Sequence, residues 1–427
     1  MSTNSVLLYV LGDIAIVVAA SALLGNLARR LGQPAVVGQV ITGILLGTSF
    51  LGRLPGHLEQ HLFPAAVVPY LTVLSQVAVV IFMFVVGYEV DLHRVPGLTK
   101  AVPAVALAAF AVPVALGGGF AWAFGKGPAT FGPHPSGAGF VLFMGVAMSI
   151  TALPVLAAIV RERGITGIPA SVIAITAAGI MDVAAWLMLA VALTEAKPTT
   201  GRPWPLTLLL ISAFVVFMLV VVRRVLDWWL AQWRSLLTGQ VSIALTLAIG
   251  SAWVTASLGL HPVFGGFLAG LAMRGRNRPP DADVLRFMES AGGVLLPLFF
   301  VVTGLSVVIG TLRGRDFILL IALCLIASAG KLGPAYAASR LSGLDPRQSA
   351  TTAALVNTRG LTELIALSVG LQAGLIGIRL FTVLVLMALV TTLMTGPLLT
   401  IIDPSPQPSP PQAAEPADLA GSQDTPP

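Results

Sequence analysis

One aspartate stands alone in the middle of a long apolar run. Asp182 lies in Ala177-Ala178-Gly179-Ile180-Met181-Asp182-Val183-Ala184-Ala185-Trp186, and nothing within a helical turn of it carries charge. Burial makes a bare charged carboxylate costly, so near neutral pH its one oxygen pair can hold either a proton or a cation. The plainer alternative is a protonated aspartate hydrogen-bonded to nearby backbone. Lys331 follows Ala329-Gly330 in another apolar run, again with no acid close in sequence. It can supply compensating positive charge, or it can snorkel its ammonium to an interface. Arg359 and Glu363 occur in Asn357-Thr358-Arg359-Gly360-Leu361-Thr362-Glu363-Leu364. A spacing of i to i+4 puts them on one helical face, where they can neutralise each other, while Gly360 between them lets the helix unwind. Ser149-Ile150-Thr151-Ala152-Leu153-Pro154 is a second breaker. Pro154 removes a backbone donor, and freed carbonyls with the Ser149 and Thr151 hydroxyls suit a monovalent cation. An ordinary proline kink is the alternative there.

These groups need elements that can hold them away from water. The chain has 427 residues, of which 56% are hydrophobic and only 10% charged, whereas soluble proteins carry about 25% charged residues. Mean hydropathy is +0.92. Such a chain cannot cover a water-facing surface with charge, which excludes a disordered protein, a coiled coil and a nucleic-acid-binding domain. A pI near 10 therefore marks basic loops rather than a nucleic-acid partner. Runs of about 18 to 25 apolar residues can cross a bilayer as helices. Thirteen candidates are expected, at about 6–26, 35–52, 68–90, 101–124, 138–160, 168–194, 205–223, 238–258, 261–273, 288–310, 317–339, 349–374 and 380–401. The run from 261 is the shortest. The fold class is thus an all-α polytopic membrane protein, with residues 1–402 as the membrane domain and the Pro-rich 403–427 as a disordered cytoplasmic tail. The N-terminal run lacks the basic flank and small-residue cleavage pattern of a signal peptide.

Loop charge supports the segmentation. Fifteen of the 24 Lys and Arg fall in one set of alternate loops and seven in the other. The basic side is expected to be cytoplasmic, which places the N-terminus outside and the C-terminus inside. Seven ionisable residues remain at or near membrane depth: Asp13, Glu89, Asp182, Glu289, Lys331, Arg359 and Glu363. Each costs about 2.5 to 3.5 kcal/mol at the centre of a span on insertion scales, so each is a functional candidate. Glu89 ends the third span and could be solvated at the interface. Asp13 and Glu289 suit structural or gating roles. The five histidines have no ligand spacing, so no metal site is expected beyond a transported monovalent cation. Cys324 is the only cysteine. No glycine-rich nucleotide fingerprint opens a helix after a strand. No nucleophile–base pair lies at depth, so neither an enzyme nor a cofactor is expected.

The two interrupted spans are the fifth and the twelfth. An odd offset of seven gives them opposite orientations, as inverted-topology repeats with discontinuous helices require. Spans four to six would then pair with spans eleven to thirteen, and half-helix ends would meet at the crossing.

These stretches together resemble the monovalent cation:proton antiporter-2 family, within the wider cation/proton antiporter group with its sodium/hydrogen exchanger-like membrane domain. Ser149 to Ala157 is similar to that family's unwound segment, Met181 to Trp186 to its ion-binding segment, and Gly330-Lys331 to its basic position. Asn357 to Leu364 is similar to its second crossing helix, and Gly87-Tyr88-Glu89-Val90-Asp91 to a third-helix motif. The resemblance runs over about residues 10 to 400. It implies a homodimer in a bacterial inner (plasma) membrane, with a core domain rocking against a dimerisation domain. It also implies exchange of Na+ or K+ for protons at Asp182. One position departs from the family pattern: Met181 stands where Asn or a second Asp is usual, and that second Asp is the lysine's usual partner. Two other functions fit the same residues. One is proton-coupled transport of another solute anchored by Lys331, and the other a non-transporting membrane sensor or scaffold.

Overall fold

The structure is a computed structural model. It describes residues 3–53, 55, 58–89, 100–125, 137–165, 167–196, 204–232, 237–258, 260–274 and 280–402, and every element among them is helical. The expected tail (403–427) lies outside the described residues, as do Val90 and Asp91 of the third-helix motif.

The helices in chain order are α1 (Thr3–Arg30), α2 (Ala35–Leu46), the short α3 (Leu58–Leu62), α4 (Val68–Glu89) and α5 (Ala101–Phe124). Then come α6 (Ala138–Ser149), α7 (Leu153–Glu162), α8 (Pro169–Ala196), α9 (Trp204–Val216), α10 (Arg223–Gln232), α11 (Leu237–Ser257) and α12 (Pro262–Met273). The last five are α13 (Ala282–Leu305), α14 (Gly314–Leu341), α15 (Pro346–Val356), α16 (Leu361–Gln372) and α17 (Ile378–Ile402). Among the described residues, ten helical stretches are long and apolar enough to cross a membrane. Two expected spans are each split into two half-helices, α6 with α7 and α15 with α16. A twelve-residue helix is about 18 Å long, roughly half of a ~30 Å hydrocarbon core, so two halves end to end make one crossing.

The thirteen expected spans all carry helix, with three departures. The α-helix expected over 35–52 stops at Leu46, where Gly47 is extended, and a separate 3-10 turn follows at Leu51–Arg53. The helix expected from 288 begins at Ala282, because Asp281 caps it by accepting from the backbone N–H of Asp283 at 3.0 Å and Val284 at 3.2 Å. The seventh span contains a π-helical segment, Phe217–Val222, between α9 and α10. Nothing in the uniformly apolar Phe-Met-Leu-Val-Val-Val marks it.

The helices pack as two groups. One joins α5, α6, α7 and α8 to α14, α15, α16 and α17. The other joins α1, α2, α4, α11, α12 and α13. In the first group α5 lies on α6 and α8 while α14 lies on α15 and α17, so the same arrangement occurs twice. In the second, α4 and α12 approach closely enough to exclude side chains. A Cβ at Gly87 would fall 2.1 Å from the Phe267 carbonyl oxygen, and one at Gly270 would fall 2.0 Å from that of Phe84. Small residues permit such contact where lipid supplies no hydrophobic drive between helices. That contact lets the short α12 stay buried.

Candidate functional site

The two breaks meet in the interior. α6 ends at Ser149, Ile150 is extended at φ −59° and ψ 137°, and α7 begins at Leu153. Pro154 is therefore the second residue of a new helix, where its missing N–H costs nothing. It starts the second half-span and does not kink a continuous helix. α15 ends at Val356, and Gly360 precedes α16 at φ +152° and ψ −125°, a conformation that side-chain-bearing residues rarely adopt. The two unwound segments bond to each other. The Ala152 N–H donates to the Thr358 carbonyl at 3.0 Å. The Thr151 hydroxyl donates to the Val356 carbonyl at 3.0 Å, and Thr362 Oγ1 donates to the Thr151 carbonyl at 3.4 Å.

Unwinding leaves the last carbonyls of α6 without helical partners, and cations from elsewhere in the chain cover them. Arg359 is wholly buried. Its guanidinium donates to the Ala147 carbonyl at 2.8 Å and to the Met148 carbonyl at 2.5 Å. The Lys331 ammonium, equally buried, donates to the Ile150 carbonyl at 2.7 Å and also to Thr151 Oγ1. A cation at a helix C-terminus contributes up to about 2 kcal/mol when partly buried. Glu363 complements the opposite pole. It sits in the first turn of α16, where the dipole favours negative charge, and its Oε1 accepts from Arg359 Nη1 at 2.8 Å. Arg359 and Glu363 thus form a buried ion pair, although Arg359 lies before the Gly360 break and not on α16.

Asp182 is 1% exposed, and neither carboxylate oxygen has a hydrogen-bond partner. It lies on α8, which packs on both α6 and α15. An orphaned buried carboxylate requires an explanation. Met181 beside it is 1% exposed and packs in one apolar cluster with Val155, Leu156 and Val356, so the place of the missing polar residue is filled by packing. Lys331 takes a helix end as its partner. Ser149 spends its proton on the Val146 carbonyl at 2.9 Å, which leaves its lone pairs available. Sequence reasoning passed over Asn357. It is wholly buried, ends α15, and has no partner for either polar atom of its amide. Its place beside the Arg359–Gly360 break was the available signal.

The remaining candidates lie apart from the crossing. Glu89 and Glu289 are exposed and line one cavity of about 430 Å³ between α4, α7, α8 and α13. The Glu89 and Tyr88 carbonyls accept from Arg274 at 2.7 and 3.0 Å. Asp13 is buried on α1, which packs on α2 and α13, and its Oδ2 lacks a partner. A second cavity, of about 320 Å³, lies between the other halves of α4 and α13 and one side of α16, with Thr303 and Ser368 on its wall.

Known proteins resemble this chain along most of its length. The chain matches the transmembrane sodium/hydrogen exchanger family over residues 16–402. It is 34% identical over 411 residues to the Na(+)/H(+) antiporter NhaS4 of Synechocystis, covering 95% of this chain and 100% of that one. It is 34% identical to cation/H(+) antiporter 20 of Arabidopsis thaliana, over 90% of this chain and 47% of that one. It is 30% identical to K(+)/H(+) antiporter 1 of Saccharomyces cerevisiae, over 87% of this chain and 44% of that one. The chain thus spans about half the length of the plant and yeast relatives. The fold is shared with the sodium proton antiporter MjNhaP1 of Methanocaldococcus jannaschii, at a TM-score of 0.65 and 13% identity over 92% of this chain and 96% of that one. With two broken helices crossing beside a lone aspartate, and a match across nearly its whole membrane region, this integral membrane protein belongs to the sodium/hydrogen exchanger family of cation/proton antiporters.

Proposed function

We propose that this chain is a secondary antiporter that exchanges a monovalent cation, Na+ or K+, for protons at Asp182. The observation that carries the reading is the Asp182 carboxylate, buried with both oxygens unpartnered beside two broken helices. A proton or a cation can satisfy that carboxylate, and the two compete for it. The site faces each side of the membrane in turn, so competition couples the fluxes without a second proton site. The Ser149 and Thr151 oxygens and the unwound carbonyls complete the cation's surroundings, and the amide oxygen of Asn357 adds a neutral donor. Lys331 supplies the positive charge that keeps the crossing close to neutral. Arg359 and Glu363 hold the second broken helix, and Pro154 and Gly360 permit the breaks. Relatives named for Na+, K+ or unspecified cations support a monovalent cation as the substrate class. The Lys331 ammonium is already engaged by Ile150 and Thr151, which disfavours its use as an anchor for an anionic solute.

The same reading takes residues 1–402 as the exchanger domain, with the C-terminus on the cytoplasmic side of a bacterial inner membrane. A homodimer would hold the α1–α4 and α11–α13 group still while the α5–α8 and α14–α17 group rocks. The test is Asp182→Asn in proteoliposomes. Exchange is expected to vanish while the variant elutes and unfolds like the natural chain; retained exchange would overturn the mechanism. Proton flux against a panel of Na+ and K+, with and without Met181→Asn, identifies the cation and shows what the methionine does.

A further inference from the structure

Away from the crossing, the π-helical segment Phe217–Val222 interrupts the span made by α9 and α10. Single-turn π insertions are uncommon and are frequent at functional places. Here the widened turn faces one side of α11. Ile243, Leu247, Gly250 and Val254, at helical spacing, close a groove of about 410 Å³ with Phe217 and Met218. From Ile243 to Val254 the groove runs roughly 17 Å at 1.5 Å per residue, about the depth of one leaflet of a ~30 Å hydrocarbon core. Its walls are apolar. Ser251, 5% exposed, also lines it, and its hydroxyl has no partner.

What stands at the groove's end identifies the occupant. Val222 lines the groove, and Arg223 and Arg224 follow it directly as the first turn of α10. Arg223 Nε is buried without a partner. Trp228 shares a helical face with Arg224 at i, i+4 and is 62% exposed. Tryptophan and arginine at the end of a span are the groups that settle at the headgroup level, and paired arginines attract anionic lipid. We propose that this groove binds one acyl chain of an anionic glycerophospholipid, whose phosphate is held by Arg223 and Arg224. The proposal is independent of the exchange chemistry at Asp182.

The test uses the full chain purified in detergent. Thermal unfolding is followed while phosphatidylglycerol, or phosphatidylcholine with the same acyl chains, is added. A Cβ at Gly250 meets nothing within 4 Å, so Gly250→Leu fills the groove without moving backbone. Phosphatidylglycerol is expected to raise the unfolding midpoint of the natural chain, and phosphatidylcholine to leave it unchanged. Gly250→Leu should lose the shift. Arg223→Gln with Arg224→Gln should weaken the lipid by roughly fivefold for each arginine removed. Arg29→Gln with Arg30→Gln, at the end of α1, should keep the shift. An equal shift with both lipids, or a shift unchanged in the groove and arginine variants, overturns the proposal. So does a Gly250→Leu chain that keeps its bound lipid but changes from dimer to monomer, because the groove would then be covered by a second copy.

Discussion

The two broken spans share a geometry and differ in where their charge comes from. The α15–α16 break carries its own neutralising pair. Arg359 and Glu363 bond to each other at 2.8 Å, one on either side of Gly360. The α6–α7 break has no charge of its own. Its carbonyls are covered by Arg359 from the other break and by Lys331 from α14, and its own residues offer hydroxyls. Asp182 on α8 is left unpaired, whereas Glu363 is held by Arg359. A carboxylate that must exchange a proton for a cation cannot be locked in an ion pair. Under the proposed function, support falls to the second break and exchange to the first. Variants at the second break should change stability first, and variants at the first should change transport.

The largest stability effect is expected at Arg359. Arg359→Met leaves Glu363 buried without its counter-charge and uncovers two carbonyls of α6. Removing one partner of a buried pair costs about 3 to 5 kcal/mol, so thermal unfolding in detergent should shift far down or the chain should fail to accumulate. Replacing both partners with apolar residues is often close to neutral. Arg359→Met with Glu363→Met should therefore recover most of the loss. If it recovers nothing, the pair is not primarily a scaffold and the division between the breaks fails.

The places of Asp182, Lys331, Arg359 and Glu363 were readable in the sequence because each interrupts an apolar run, and a charge there has no cheap explanation. The buried Asp316, paired with Arg379, was not, because it stands at the start of its helix. The spans were readable too, because the bilayer dictates their length and apolar content. Partners were not readable. Lys331 reaches Ile150 across 181 positions of chain, and Arg359 reaches Ala147 across 212. Such contacts exist only once the two units cross. Asn357 was hidden by its neighbours, since the Arg359–Glu363 spacing accounted for the segment without it. The π segment was invisible for a different reason: its six apolar residues would serve equally well in an ordinary helix.

A smaller effect is expected at Gly360, and it probes how closely the breaks are joined. Its φ of +152° is one that other residues seldom adopt, and a Cβ there would lie 2.8 Å from Val155 Cγ2 on α7. Backbone in so sparse a region costs a side-chain-bearing residue about 1 to 3 kcal/mol. Gly360→Ala should lower the unfolding midpoint accordingly. Adding Val155→Ala should relieve the contact but not the backbone strain, so only part of the loss should return. Complete recovery would mean that packing alone selects the glycine.

The smallest stability effect is expected at Thr151, where the comparison is sharpest. Its hydroxyl accepts from Lys331 and donates to the Val356 carbonyl, so one oxygen ties α14 to both breaks. Thr151→Val keeps the shape and removes that link, while Lys331 retains the Ile150 carbonyl. Hydrogen bonds to charged groups contribute about 1.5 to 3 kcal/mol, and the retained bond should hold the loss near the lower figure. Thr151→Ser keeps the oxygen and should unfold close to the natural chain. The transport readout separates the roles. If the first break is the exchange site, Thr151→Val should raise the cation concentration needed for half-maximal exchange well beyond what its stability loss explains, and Thr151→Ser should not. A Thr151→Val chain with lowered stability but unchanged cation dependence would show that Thr151 only braces Lys331, leaving Asp182 to bind the cation without it.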